Sequence, residues 1–227
     1  MKKPVVDYRQ FRLRKINEPR FSHLKLLLGW VWYFLMYLLT ENLIPAEKCH
    51  AIHCALDYMI PFNELFLLIY VGWYVLVAGS LLYFALYNID SFKKLSIYIL
   101  ITQIVAMATY IIYPSRQDLR PLFFERDNLL TRLMGFIYAF DTPTGVCPSL
   151  HVAYSLAIAS VFTKEKAVSR GAKAAIWAFC LLVCPAVLFV KQHSAVDVIA
   201  ALPVVLLGEV IVYGKYWRNT WRKKRRL

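Results

Sequence analysis

Six apolar runs, separated by short polar stretches, dominate the pattern of this chain. They lie near residues 24–44, 64–88, 95–113, 146–163, 172–191 and 194–213. A helix needs about 20 mostly apolar residues to cross the hydrocarbon core of a bilayer. The second run is long enough to tilt, and the fourth is short. The pattern predicts an all-α polytopic membrane protein with six transmembrane helices. Two connections are long, residues 45–63 and 114–145. Within the second, a piece at roughly 126–140 predicts a short interfacial helix. A loop of this length in a compact protein is usually functional or disordered, and its aromatic content argues against disorder. No internal repeat is visible. One domain over residues 1–227 follows, with basic ends at about 1–23 and 214–227.

Composition strengthens this picture. Hydrophobic residues make up 59% of the chain, against about 45–50% in a soluble domain, so a single soluble core cannot hide them. The net charge of +13 would suggest nucleic acid in a soluble protein, but its placement argues otherwise. Of the 27 Lys and Arg, 21 fall in residues 1–25, the 89–94 and 163–173 turns and the tail from Lys215; the other six are Lys48, Arg116, Arg120, Arg126, Arg132 and Lys191. Positive charge marks cytoplasmic loops. Both termini are therefore expected in the cytoplasm, and the two long loops outside the cell membrane. No nucleic-acid partner is expected. The tail KYWRNTWRKKRRL is suited to anionic headgroups, or simply anchors the last span. The first run is read as an uncleaved span.

Five cysteines are too few for a disulfide scaffold. Cys49 and Cys54 share the stretch CHAIHC, where an oxidising compartment allows a disulfide and free thiols are the alternative. So short a stretch offers poor zinc geometry. Cys180 and Cys184 read as packing residues. No metal and no cofactor are expected.

Polar residues near span ends carry the candidate chemistry: Arg116, Arg120, Ser149, His151, Lys191, His193 and Asp197. Six spans put all seven on one face of the membrane. His193 and Asp197, four residues apart, share a helix face, where an acid can hold an imidazole in one tautomer. An aspartate inside a membrane segment is functional by default. His151 adds an acid–base group near neutrality. Ser149 and the N–H groups after Pro148 open a helix, where an anion is welcome. Two histidines, an acid, a helix start and nearby cations suggest phosphoryl transfer with a histidine nucleophile.

These residues resemble the motifs of the type 2 phosphatidic acid phosphatase superfamily, KxxxxxxRP, PSxH and SRxxxxxHxxxD. Here they read as YPSRQDLRP ending at Arg120-Pro121, Pro148-Ser149-Leu150-His151, and HSAVD from His193 to Asp197. The family lysine falls on Tyr113 and the Ser-Arg pair on Ala186-Val187, leaving Arg116 and Lys191 as stand-in cations. FVKQHSAVDVIA and LDYMIPFNELFLLIYVGWY look similar to a bacterial branch near inositol phosphorylceramide synthases. The resemblance implies a metal-independent lipid phosphate phosphatase, cleaving a phosphomonoester or diphosphate at the extracytoplasmic face. His193 would attack phosphorus, Asp197 orient it, and His151 serve as acid and then base. Arg120, Arg116, Lys191 and the Ser149–Leu150 backbone would neutralise the phosphoryl oxygens. The alternatives are a lipid headgroup phosphotransferase with the same site, and a non-enzymatic membrane protein or transporter.

Overall fold

The computed structural model describes residues 4–224, with side chains described as far as Arg218. The last basic side chains of the tail, and with them part of the expected headgroup contact, lie outside the described residues. Among the described residues eight α-helices form in chain order: α1 (Leu28–Leu43), α2 (Ala55–Met59), α3 (Leu67–Tyr87), α4 (Ile89–Ile112), α5 (Leu129–Phe140), α6 (Leu150–Lys164), α7 (Arg170–Phe189) and α8 (Ala195–Lys224). Polar caps set several starts. Asn88 accepts from the Ser91 N–H, Asn128 from Leu130 and Thr131, Ser149 from Val152 and Ser169 from Ala172, each taking up an N–H group that the first helical turn leaves unbonded.

Among the described residues, five stretches are long and apolar enough to cross a membrane: Ser22–Leu43, Glu64–Tyr87, Ile89–Ile112, Arg170–Phe189 and Ala195–Arg218. The fourth apolar run is different. It folds as the 15-residue α6, about 22 Å long at 1.5 Å per residue, short of the roughly 30 Å hydrocarbon core. Its surroundings account for this. α6 packs against α3, α4, α7 and α8, and ten of its residues are buried. A helix enclosed by other helices presents little surface to the surroundings, so its length is not set by them. Its N-terminus lies inside the molecule, beneath the long loops.

Close approach fixes the α4–α8 contact. Tyr98 of α4 is fully buried and donates to the Val205 carbonyl at 2.6 Å. Its ring lies where a Cβ on Gly208 would come within 2.2 Å, so glycine is required there.

The bundle has two distinct ends. At one, the Val5 N–H donates to the Leu86 carbonyl and the Asn88 side chain to Glu165. This gathers the N-terminal segment, the α3–α4 turn and the α6–α7 link. At the other, a parallel pair of two-residue strands, β1 (His50–Ala51) and β2 (Ser115–Arg116), joins the two long loops. The Asn63 N–H donates to the Phe189 carbonyl at 3.0 Å, and that of Gln117 to Pro143 at 2.9 Å. The interfacial piece expected at 126–140 forms as α5. Leu129, Leu133, Phe136 and Phe140 face outward from it.

Candidate active site

Two helix starts meet beneath these loops. The Ser149 N–H donates to the Asp197 carbonyl at 3.1 Å, tying the first turn of α6 to the first turn of α8. Ser194-Ala-Val-Asp197 forms a reciprocal cap. The Ser194 N–H donates to Asp197 Oδ2 at 2.9 Å, and the Val196 N–H to Ser194 Oγ at 3.1 Å. The cap fixes the carboxylate before it meets the imidazole.

A linear relay results. His193 Nδ1 lies 3.2 Å from Asp197 Oδ2, and His193 Nε2 lies 3.1 Å from His151 Nδ1. Asp197 is fully buried and His193 is 7% exposed. A carboxylate accepts, so His193 carries its proton on Nδ1 and a lone pair on Nε2. His151 then donates from Nδ1. Its ring lies against Trp73 and Tyr70, with centroids at 4.3 and 4.8 Å, which sets its orientation. Among the described residues its Nε2 is buried without a hydrogen-bond partner.

Both histidines line a cavity of about 630 Å³ walled mainly by α1, α3 and the 141–146 segment, with Leu150, His151 and Tyr154 of α6. Most of that wall is aromatic and aliphatic. Asp141 and Gln192 are polar exceptions beside the histidines. Asp141 accepts from Tyr37 at 3.1 Å and from Gln192 Nε2 at 3.1 Å. Burial pushes its carboxyl above the ordinary value, against the pull of Arg120 and the Tyr37 hydrogen bond.

The sequence-predicted cations fare differently. Arg120 is tied to the carbonyls of Tyr138, Asp141 and Thr142. Its Nη2 donates to Gln192 Oε1 at 2.6 Å, so it reaches the cavity wall through Gln192. Arg116 is turned to Asp118 at 3.1 Å and to the carbonyls of Ala46 and Cys49. Lys191 sits in the left-handed region at φ +52 and donates Nζ to the carbonyls of Asp57 and Ile60. The expected stand-in role of Arg116 and Lys191 is therefore not met in this arrangement: both cations clamp the first loop by donating to its carbonyls. Ser149 is fully buried and acts as a cap. Leu150 lines the cavity, and its N–H and that of His151 have no partner among the described residues.

Sequence reasoning passed over three residues. Asp57 is 2% exposed and accepts from Ser194 Oγ at 2.6 Å, the Ala195 N–H at 2.8 Å and the Cys54 N–H at 2.7 Å. It staples the first loop to the start of α8. A lone acid inside LDYMIPF was its only signal. Gln192 and Asp141 gave none. Cys49 and Cys54 are both free thiols.

The chain matches no protein-family model, no curated protein and no solved structure. The chemistry available rests on the geometry. His193 Nε2 is an oriented nucleophile, His151 Nδ1 is a proton donor beside it, and an apolar cavity opens at both.

Proposed function

We propose that this chain is a polytopic membrane enzyme that hydrolyses a lipid phosphomonoester or diphosphate through a phosphohistidine. α6 serves as the sixth span, short because protein surrounds it. Both termini lie in the cytoplasm and the histidines at the extracytoplasmic face. The observation that carries the reading is the relay Asp197–His193–His151 opening onto an apolar cavity. An acid-oriented imidazole beside a second imidazole suits nucleophilic phosphoryl transfer, and the apolar wall suits a lipid.

The steps balance within the chain. The 3.1 Å contact between the imidazoles is too close to admit a phosphoryl group, so the substrate enters by parting them. The His193 Nε2 lone pair attacks phosphorus. The bond to the leaving oxygen breaks, and that oxygen takes the Nδ1 proton of His151, which enters the step as an imidazolium held by the bound phosphate and leaves it as neutral imidazole. His151 then takes a proton from water, whose oxygen attacks phosphorus. The P–N bond breaks and its electron pair returns to His193. Asp197 stabilises the charge on His193 during transfer. The Leu150 and His151 N–H groups at the start of α6, and Arg120 once freed by movement of Gln192, supply donors to the phosphoryl oxygens.

A second reading has its own support. A carboxylate beside the nucleophile repels phosphate but accepts from a hydroxyl, so Asp141 suits an acceptor alcohol and a headgroup phosphotransferase. Both readings are tested with purified protein in detergent, given lipid phosphates and diphosphates with and without acceptor alcohols. Phosphate release supports hydrolysis, and a new phosphodiester lipid supports transfer. His193→Ala should lose all turnover, and full retention sinks both readings. His151→Ala should lower kcat/KM, which reads phosphohistidine formation, by about 10²–10⁴-fold on an alkyl ester but far less on a p-nitrophenyl ester, whose leaving group needs no proton, while kcat falls on both because water activation is lost.

A further inference from the structure

The cavity at the histidines does not end at the headgroup. It runs along α1 from Tyr37 down to Leu27, the last residue of the Ser22–Leu27 turn, and along α3 from Trp73 to Leu81. The ten steps from Leu27 to Tyr37 make one wall about 15 Å long, and the eight from Trp73 to Leu81 make the other about 12 Å. The polar lining stays at the histidine end, with Asp141, Thr142 and Gln192, and the far end is hydrocarbon. α1 packs mainly on α4 and the Ser22–Leu27 turn, and α3 on α4 and α7. Little joins α1 to α3, so a slot remains between them, with Tyr154 of α6 at its back. Phe34 and Tyr74 both line the slot and are 54% and 52% exposed, so it opens sideways between them.

We infer that the α1–α3 slot is the binding site for the substrate's hydrocarbon chain, which enters sideways from the membrane while the phosphate meets His193. This rests on the proposed lipid phosphoryl transfer and deepens it. A closed apolar chamber would need the whole lipid to leave the bilayer. A slot open along its length lets the chain stay in hydrocarbon throughout. One cavity holds both the histidines and the slot, which ties the occupant to the reaction. The floor is Leu27 and Leu81. The N-terminal segment beneath it is pinned by the hydrogen bonds of Tyr8 to the Ala85 carbonyl and to His23. Chains longer than the floor allows must bend outward past Phe34.

Ala78 lies on the α3 wall, lines the slot and is itself exposed, so a large side chain there fills the slot without entering the core. Two measurements test the inference. In the first, unaltered protein in bilayers is photolabelled with a long-chain alkyl phosphonate bearing a diazirine about 15 Å from phosphorus. Labels should concentrate on Leu27, Ala78 and Leu81 and disappear in Ala78→Trp. Even labelling over the outward faces of α1, α7 and α8 would overturn the assignment. In the second, Ala78→Trp should lower kcat/KM for a long-chain phosphate by at least about tenfold while a short, water-soluble alkyl phosphate changes by less than about twofold. Equal effects on the two substrates, or none on either, also overturn it. If unaltered protein releases phosphate from neither substrate, the proposed reaction fails, and the labelling still decides where the chain lies.

Discussion

In the proposed reaction a carboxylate beside the phosphate is electrostatically awkward, and Asp141 stands on the cavity wall with His193. Burial resolves part of the conflict by raising its pKa, which keeps the neutral form to higher pH. As pH rises through that raised value the group charges and repels the incoming phosphate. Hydrolysis by the unaltered enzyme should therefore decline on the alkaline side earlier than hydrolysis by Asp141→Asn. The variant should gain about tenfold in kcat/KM there, the equivalent of roughly 1.4 kcal/mol of relieved repulsion. The two should converge in acid, where Asp141 is protonated. Superimposable pH profiles for phosphate release would exclude this role. If Asp141 instead accepts from an acceptor alcohol, the variant loses phosphodiester formation while keeping hydrolysis.

At the scale of elements, the first loop and the start of α8 act as one unit through Asp57. Burial disfavours its charge, yet the bonds from Ser194, Ala195 and Cys54 hold its carboxyl below the usual value. Asp57→Ala strands the Ser194 hydroxyl and the Ala195 N–H, and should destabilise by about 2–4 kcal/mol. Asp118→Ala, at an exposed ion pair with Arg116, should stay within about 0.5 kcal/mol. Because the folded pKa is depressed, the stabilisation by Asp57 is present above its unfolded value, near ~3.9, and is lost as pH falls through the folded value. The melting-temperature gap between unaltered protein and Asp57→Ala should then close in acid. A gap that persists at low pH would show that packing, not the carboxylate charge, holds the loop. The same elements mark what the sequence could disclose. Five apolar runs became long helices because hydropathy over a span is a local property. Their ends were harder to read. α4 starts at Ile89, six residues before its run, because Asn88 caps it and Asp90 pairs with Lys94 one turn on. α8 continues to Lys224, well past its run, because lysine and arginine are good helix formers. His151, His193 and Asp197 were legible from a four-residue spacing and the topology of the ends. The Asp57–Ser194 bond joins residues 137 apart, and the turning of Lys191 and Arg116 onto loop carbonyls depends on which carbonyls the fold brings within their reach. Neither leaves a local pattern to read.

For the whole molecule, the separation of charge and chemistry between the two ends makes one demand. The end built from the N-terminal segment, the α3–α4 turn and the α6–α7 link carries most of the Lys and Arg, and the end built from the two long loops carries the histidine relay. In the proposed orientation, with positive charge kept in the cytoplasm, the relay lies outside, where the water that the proposed hydrolysis consumes is plentiful. Single cysteines test this in a chain whose Cys49, Cys54 and Cys147 are replaced by serine. Phe123 is 77% exposed in the second long loop, and Lys166 is exposed in the α6–α7 link. A membrane-impermeant maleimide added to intact cells should label Phe123→Cys and spare Lys166→Cys, and permeabilised cells should show both. The reverse pattern would turn the molecule over. The relay would then face the cytoplasm, and the charge asymmetry would need another cause, such as attraction of the basic end to an anionic surface outside.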